Sequence, residues 1–323
     1  MIGIDVGGAN LKIVNEQGAH IHYCPLWEHA QITSILEQYV TSPEDQAAVV
    51  MSGELADSFS NKMEGISFIV DAVKRAFPHA SFYGMDAKFH QRAVHQLAAA
   101  NWLASAAYLR EEYPDAVLLD IGSTTADIIP LACFESLPGL TDLFRLQKGY
   151  LIYTGMLRGN IATLLRSVHL NGTKTPVSSE YFAASADAHL VLNHISTAQY
   201  SCDTPDKKEK TKAASLRRLA RVVCADLEEI GEQGAMQIAE QFWEVQRNLI
   251  CEQVTSVAAS SHARQIIVAG IGAQIFSDEL DGTDLTKILG PVADALPAYA
   301  VRELALCFKK SIIFQSEKKE VNQ

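Results

Sequence analysis

The chain of 323 residues, 48% hydrophobic and 20% charged, is long enough for two domains with cores of their own. Its net charge of −11 argues against broad nucleic-acid binding, which draws on a basic surface. No apolar run reaches the ~20 residues that span a bilayer, no basic n-region precedes the first apolar segment, and the six cysteines lack Cys-x-x-Cys spacing. These features predict a cytoplasmic protein with reduced thiols and neither a membrane nor a nucleic-acid partner.

In chain order, residues 2–6, 11–15 and 19–24 read as three short strands turned at Gly7-Gly8 and Gln17-Gly18. A helix around 30–40, an apolar strand at Ala47–Met51 and helices over 61–77 and 91–110 follow. In the last of these Val94, Leu97, Ala98, Trp102, Ala106 and Leu109 recur at helix spacing, and Pro114 stops it. The pattern restarts at Ala116 with a strand to Asp120, a turn at Gly122-Ser123 and a strand over 125–132. Helices then dominate, over 155–168, 179–190, 211–230 and 233–260, before a strand at 265–269 and a helix near 291–307. This organisation predicts lobes at 1–115 and 116–315, the second with a helical insertion, and a disordered polar tail at 316–323. Strands first and helices later in each lobe predict mixed α/β layers with a cleft between.

Two segments carry the same device. One reads Ile4-Asp-Val-Gly-Gly-Ala-Asn-Leu-Lys12, the other Leu119-Asp-Ile-Gly-Ser-Thr-Thr-Ala-Asp127. Each sets an acid at the end of an apolar strand, then an apolar residue, Gly and small residues leading into a second strand. Gly lets backbone N–H groups approach an anion closely. Asp5 or Asp120 can hold a hydrated divalent cation, directly or through water, with Mg²⁺ the expected metal. The candidate anion-binding positions are Gly7, Gly8 and Asn10 in the first loop and Gly122, Ser123 and Thr124 in the second. A third element, Gln265–Ala273, runs an apolar strand into Gly270 and Gly272, where a planar or phosphorylated ligand can approach the backbone. Alone it is a common strand–turn–helix junction. The order of the three resembles the actin, heat-shock chaperone and sugar kinase superfamily. That resemblance implies an actin-like (ribonuclease H-like) α/β fold of two duplicated mixed-sheet lobes, and it admits ATP as a nucleotide.

Other residues read two ways. Glu54 and Asp57 follow the apolar strand at 47–51 and suit either catalysis on a loop or the electrostatics of a helix start. Lys12 is either a phosphate-binding cation or an exposed strand lysine. Between Lys207 and Arg221 seven cations crowd an acidic chain, with no aromatics for bases to stack on. They form either a solvated face or a site for an anionic substrate, in which Arg218 and Arg221, three apart on a helix, clamp one anion. The ten histidines show no metal-ligand spacing and read as surface or packing residues.

A narrower resemblance rests on Asp5-Val-Gly-Gly-Ala-Asn-Leu-Lys12, Ser52-Gly-Glu-Leu-Ala-Asp57, Asn101-Trp-Leu-Ala-Ser105, Asp120-Ile-Gly-Ser-Thr-Thr-Ala-Asp127 and Tyr153-Thr-Gly-Met-Leu-Arg158. The chain is similar to a hydantoinase A-related family of tetrahydromethanopterin-linked C1-transfer proteins. Ala9-Asn10 stands where many kinase relatives of the superfamily carry a hydroxyl. The resemblance implies biosynthesis of a methanofuran-type C1 carrier, by an alkyl transfer in which a phenolic oxygen displaces diphosphate from an activated aminomethylfuran. The implied partners are a small-molecule diphosphate and a phenolic or amine acceptor, with a homo-oligomer left open. Asp5 and Asp120 through Mg²⁺, the two glycine loops and Lys12 would neutralise the leaving group, Glu54 would act as base, and Arg158 would touch substrate. The rival readings are an ATP-dependent kinase or hydantoinase-like ATPase, and a non-catalytic nucleotide-binding scaffold.

Overall fold

The computed structural model describes residues 1–28 and 30–321, with backbone alone from 310 onward. The tail expected at 316–323 therefore lies outside the described side chains, and its last two positions lie outside the described residues. The chain forms two compact units, one from Met1–Ala116, Ile129–Gln147 and the segment beginning at Leu285, the other from Val117–Ile128 and Lys148–Asp284.

The first unit opens with β1 (Ile2–Val6), β2 (Asn10–Asn15), β3 (Gly18–Tyr23), α1 (Ile32–Glu37), β4 (Ala47–Met51), α2 (Lys62–Ala76), β5 (Ser81–Tyr83), β6 (Phe89–His90) and α3 (Asn101–Leu109). Its sheet has the order β3-β2-β1-β4-β5-β6. β1 is antiparallel to β2 and parallel to β4, and β4 is parallel to β5. Both β1 and β4 are buried at every position, so they carry unbroken apolar runs interrupted only by Gly3 and Asp5. α2 starts where the Asn61 side chain accepts the Glu64 N–H at 3.0 Å while the Glu64 carboxylate accepts the Ser60 N–H at 2.8 Å. It lays Ile66, Ile69, Val70 and Val73 onto Ile4, Val49 and Phe82.

The chain continues through β7 (Ala116–Ile121), β8 (Ala126–Pro130), α4 (Asp142–Lys148), β9 (Leu151–Ile152), β10 (Ser167–Leu170), β11 (Thr173–Pro176), α5 (Ser185–Val191), α6 (Lys212–Arg221) and α7 (Leu227–Ser261). It closes with β12 (Gln265–Ala269), α8 (Ala273–Glu279), β13 (Thr283–Asp284), α9 (Leu285–Leu289) and α10 (Leu296–Val321). The second main sheet has the order β9-β8-β7-β12-β13. Each sheet thus sets three sequential strands side by side, β1-β2-β3 or β7-β8-β9, and places later strands beyond β1 or β7, three in the first sheet (β4, β5, β6) and two in the second (β12, β13). This is the duplicated actin-like, ribonuclease H-like α/β arrangement that the loop order implied. No helix among the described residues is long and apolar enough to cross a membrane.

Three expected helices change. The one read over 91–110 is α-helical only at Asn101–Leu109, preceded by a 3₁₀ turn at His95–Leu97, and Ala99 between them takes a positive φ of 48°. The one read over 155–168 reduces to a single 3₁₀ turn at Ile161–Thr163 ahead of β10. Its N–H groups at Met156, Leu157 and Arg158 donate to the carbonyls of Gly122 and Ser123 instead of to carbonyls four residues back. The one read over 211–230 ends at Arg221, and a longer helix begins at Leu227, where Asp226 caps the N–H groups of Glu228 and Glu229.

Candidate functional site

In the second unit, β7 ends at Ile121 with half-buried Asp120 beside it, and Gly122–Thr125 turns the chain into β8. The Gly122 N–H closes the turn on the Thr125 carbonyl at 2.9 Å. Segment 153–158 holds this loop from behind. Met156 N–H donates to Gly122 O at 3.0 Å, and the N–H groups of Leu157 and Arg158 both donate to Ser123 O at 2.9 Å. Gly155 approaches so closely that a Cβ there would lie 2.6 Å from Thr124 N. On the other side Gly270, with φ of 82°, faces the end of β7, where a Cβ would fall 2.7 Å from Asp120 Oδ1. Gly272, buried one turn later, donates its N–H to Ile121 O at 3.3 Å. Asp120, Gly122, Ser123, Thr124, Arg158, Gly270 and Gly272 are therefore one neighbourhood.

No group of three or more His, Cys, Asp or Glu side chains converges as a metal cage among the described residues. A hydrated Mg²⁺ asks for less: one or two carboxylates, with water and phosphate oxygens completing its shell. Asp120, a half-buried carboxylate at the end of β7 beside the glycine loop, can supply one such carboxylate.

In the first unit, Asp5 is 4% exposed and pairs in register with Lys12 across the β1–β2 ladder, so both side chains occupy one face of the sheet. Gly7 N–H donates to Asn10 O at 3.0 Å, and the N–H groups of Cys24 and Leu26 tie down Ala9 O and Gly8 O at 2.9 Å. Gly7, Gly8, Asn10, Asp5 and Lys12 thus share a second, separately built neighbourhood.

Glu54 follows β4 and is 2% exposed. Its Oε2 has no hydrogen-bond partner among the described residues. Burial pushes its carboxyl up to about 7, helped by Asp142 and opposed by its own N–H, Lys62 and the Ala99 N–H. A buried carboxylate with an unused oxygen that titrates near neutrality is suited to take a proton. The helix-start alternative does not describe it, because α2 begins at Lys62 with Asn61 and Glu64 as its cap.

The basic segment has a different fate. Arg218 is fully buried, and its Nη2 pairs with Asp187 Oδ1 at 2.7 Å while Nη1 reaches Asp206 at 3.1 Å. Arg221 Nη1 pairs with the other Asp206 oxygen at 3.2 Å. The expected Arg218–Arg221 anion clamp is corrected accordingly. A side chain without solvent contact has no face to offer a diffusing anion, and both charges already have carboxylates of the chain. The partners are Asp187 and Asp206.

Two residues that the sequence reading passed over stand behind the second loop. Gln246 of α7 is fully buried and donates from Nε2 to Thr154 Oγ1 at 2.9 Å and to Gly155 O at 3.0 Å. Its Oε1 contacts His189 Nε2 at 2.9 Å. The signal was available: Ile238, Phe242, Gln246, Ile250 and Val254 form one buried stripe, and Gln246 is the polar member.

The model of the hydantoinase/oxoprolinase family matches residues 45–305. The chain is 35% identical over 321 residues to the (4-{4-[2-(gamma-L-glutamylamino)ethyl]phenoxymethyl}furan-2-yl)methanamine synthase of Methanocaldococcus jannaschii, covering 94% of this chain and 97% of that protein. It is 40% identical over 171 residues to the synthase of the same name from Methanococcus vannielii, covering 53% and 76%. Among solved structures, a ROK family glucokinase from Streptomyces griseus is similar over 92% of this chain and 97% of its own, at 15% identity and a TM-score of 0.40. With its family motifs set on the loops of two duplicated sheets, the chain belongs to the hydantoinase/oxoprolinase family.

Proposed function

We propose that the chain is an enzyme that condenses an aminomethylfuran diphosphate with a tyramine-type phenol and releases diphosphate, as a step in making a methanofuran-type C1 carrier. The observation that carries this reading is the near end-to-end similarity to a synthase whose named product contains a phenoxymethyl-furan ether. Forming that ether joins a phenolic oxygen to the furanyl methylene carbon. The carbon–oxygen bond to diphosphate breaks, and the diphosphate leaves with the electron pair.

The chain's residues suit the parts of this step. Glu54, poised near neutral pH by burial, takes the phenolic proton as the oxygen attacks. The N–H groups of the glycine loops and the Lys12 ammonium receive charge developing on the departing diphosphate. Asp5 or Asp120 would hold Mg²⁺, which when bound would supply further neutralisation of that charge. Arg158, whose N–H donates to Ser123 O, would contact the departing anion.

The test is turnover of a synthetic furan diphosphate with tyramine or glutamyltyramine, with and without ATP and Mg²⁺. Ether and diphosphate formed without ATP uphold the reading. Turnover only with ATP, accompanied by ADP, replaces it with an ATP-dependent transfer. Nucleotide binding without any turnover replaces it with a binding scaffold.

A further inference from the structure

We propose that Gln246 and His189 are positioning residues for the second glycine loop, acting through Thr154 and Gly155. The inference rests on reading Gly122–Thr124 as an anion-binding loop. A backbone carbonyl sets the whole chain of contacts. Gly155 O can only accept, so the Gln246 atom beside it at 3.0 Å is the amide nitrogen, and Oε1 must face His189. His189 Nε2, 2.9 Å from that oxygen, therefore carries a proton. Its Nδ1 is then a bare acceptor, and His194 Nδ1 at 3.1 Å donates to it.

This directional chain works only with His189 neutral. His189 is fully buried, and burial, aided by the neighbouring His194, holds its pKa down to about 3 against the Gln246 hydrogen bond. Phe242 and Trp243 pack edge-on against its ring at 6.0 and 5.8 Å. Gln246 and His189 lie 57 residues apart, on α7 and α5. They meet behind a segment whose Met156, Leu157 and Arg158 N–H groups carry the loop carbonyls. A rigid polar rod thus fixes Gly155, and Gly155 fixes the loop. Such support behind a site is what holds binding groups to the tolerance that recognition needs.

The test uses Gln246→Met, which keeps the approximate length but cannot donate to Gly155 O, and Thr154→Val, which removes one acceptor. Hydrogen exchange is read at Met156, Leu157 and Arg158, and Kd is measured for inorganic pyrophosphate. In Gln246→Met these three amides should exchange about tenfold faster while those of Ile267 and Val268 in β12 keep their rates. Pyrophosphate should bind about tenfold more weakly, and KM for the diphosphate substrate should rise more than kcat falls. Thr154→Val should shift the same amides in the same direction, by less. Unchanged exchange at 156–158 in both variants, or equal acceleration in β12, overturns the proposal. Faster exchange there in a chain whose wild type never binds pyrophosphate upholds the positioning and overturns the diphosphate reading alone.

Discussion

Arg218 Nη2 sits 2.7 Å from Asp187 Oδ1, and neither side chain meets solvent. The same Asp187 oxygen accepts the Ser215 hydroxyl at 2.8 Å and the Tyr200 hydroxyl at 3.2 Å, while Oδ2 accepts the Ala184 N–H at 2.9 Å. One buried carboxylate therefore ties α6 to the start of α5 and to the segment carrying Tyr200. A buried pair of this kind contributes little net stability when intact but is costly to halve, because the survivor is an uncompensated charge.

Arg218→Met should lower unfolding free energy by about 3–5 kcal/mol in urea denaturation, since it strands Asp187. Arg221→Ala, at a half-exposed position, should cost less than about 1 kcal/mol. It should also leave KM for the charged substrate unchanged between low and high salt. A salt-dependent rise in KM for Arg221→Ala would restore the anion-clamp reading.

Glu54→Gln separates activity from stability. If Glu54 takes the phenolic proton, turnover should fall about 10²–10⁴-fold. The wild-type rate should drop as pH falls below about 7, where the carboxylate is protonated, and the variant should lack that limb. The stability effect has the opposite sense. The folded-state pKa is raised, so this group's contribution is fullest below 4.5, its ordinary value, and is lost as pH rises through about 7. Above that, burying the charge costs the wild type about 3 kcal/mol. Glu54→Gln should therefore gain on the wild type between pH 5 and pH 8 in melting experiments.

Asp120→Asn should retain the wild-type circular dichroism spectrum and lose Mg²⁺-dependent turnover by several kcal/mol of barrier, read as kcat/KM across a Mg²⁺ titration. Full activity with the same metal dependence would remove Asp120 from the proposed metal site.

Gly155→Ala tests how closely the supporting segment must approach. The added methyl would lie 2.6 Å from Thr124 N and 2.7 Å from Gly122 O, both backbone atoms, so the loop itself must shift. The expected outcome is a loss of about 1–3 kcal/mol in stability with a parallel loss of pyrophosphate affinity by calorimetry.

The two Asp-x-Gly turns, β1, β4, β7 and β12 were legible because each is a local pattern: a short, mostly buried apolar run with glycine just beyond it. Family membership was legible for the same reason, through Ser52–Asp57, Asn101–Ser105 and Tyr153–Arg158. The conformation of 155–168 was not, because the N–H groups of Met156, Leu157 and Arg158 bond to carbonyls more than thirty residues earlier and so escape any helical period. Nor was the role of Arg218, whose charge looked available until packing placed Asp187, 31 residues away, against it. Gln246 showed only as the polar member of the α7 stripe, and its pairing with His189 left no signal, since a hydrogen bond across 57 residues leaves no spacing to read. The sequence by itself determined which segments turn, which are buried and which family they belong to, because glycine and apolar runs act on near neighbours. Only the tertiary structure decided which polar side chains face a ligand and which satisfy one another, because burial and partnership are set by chain segments that meet after folding.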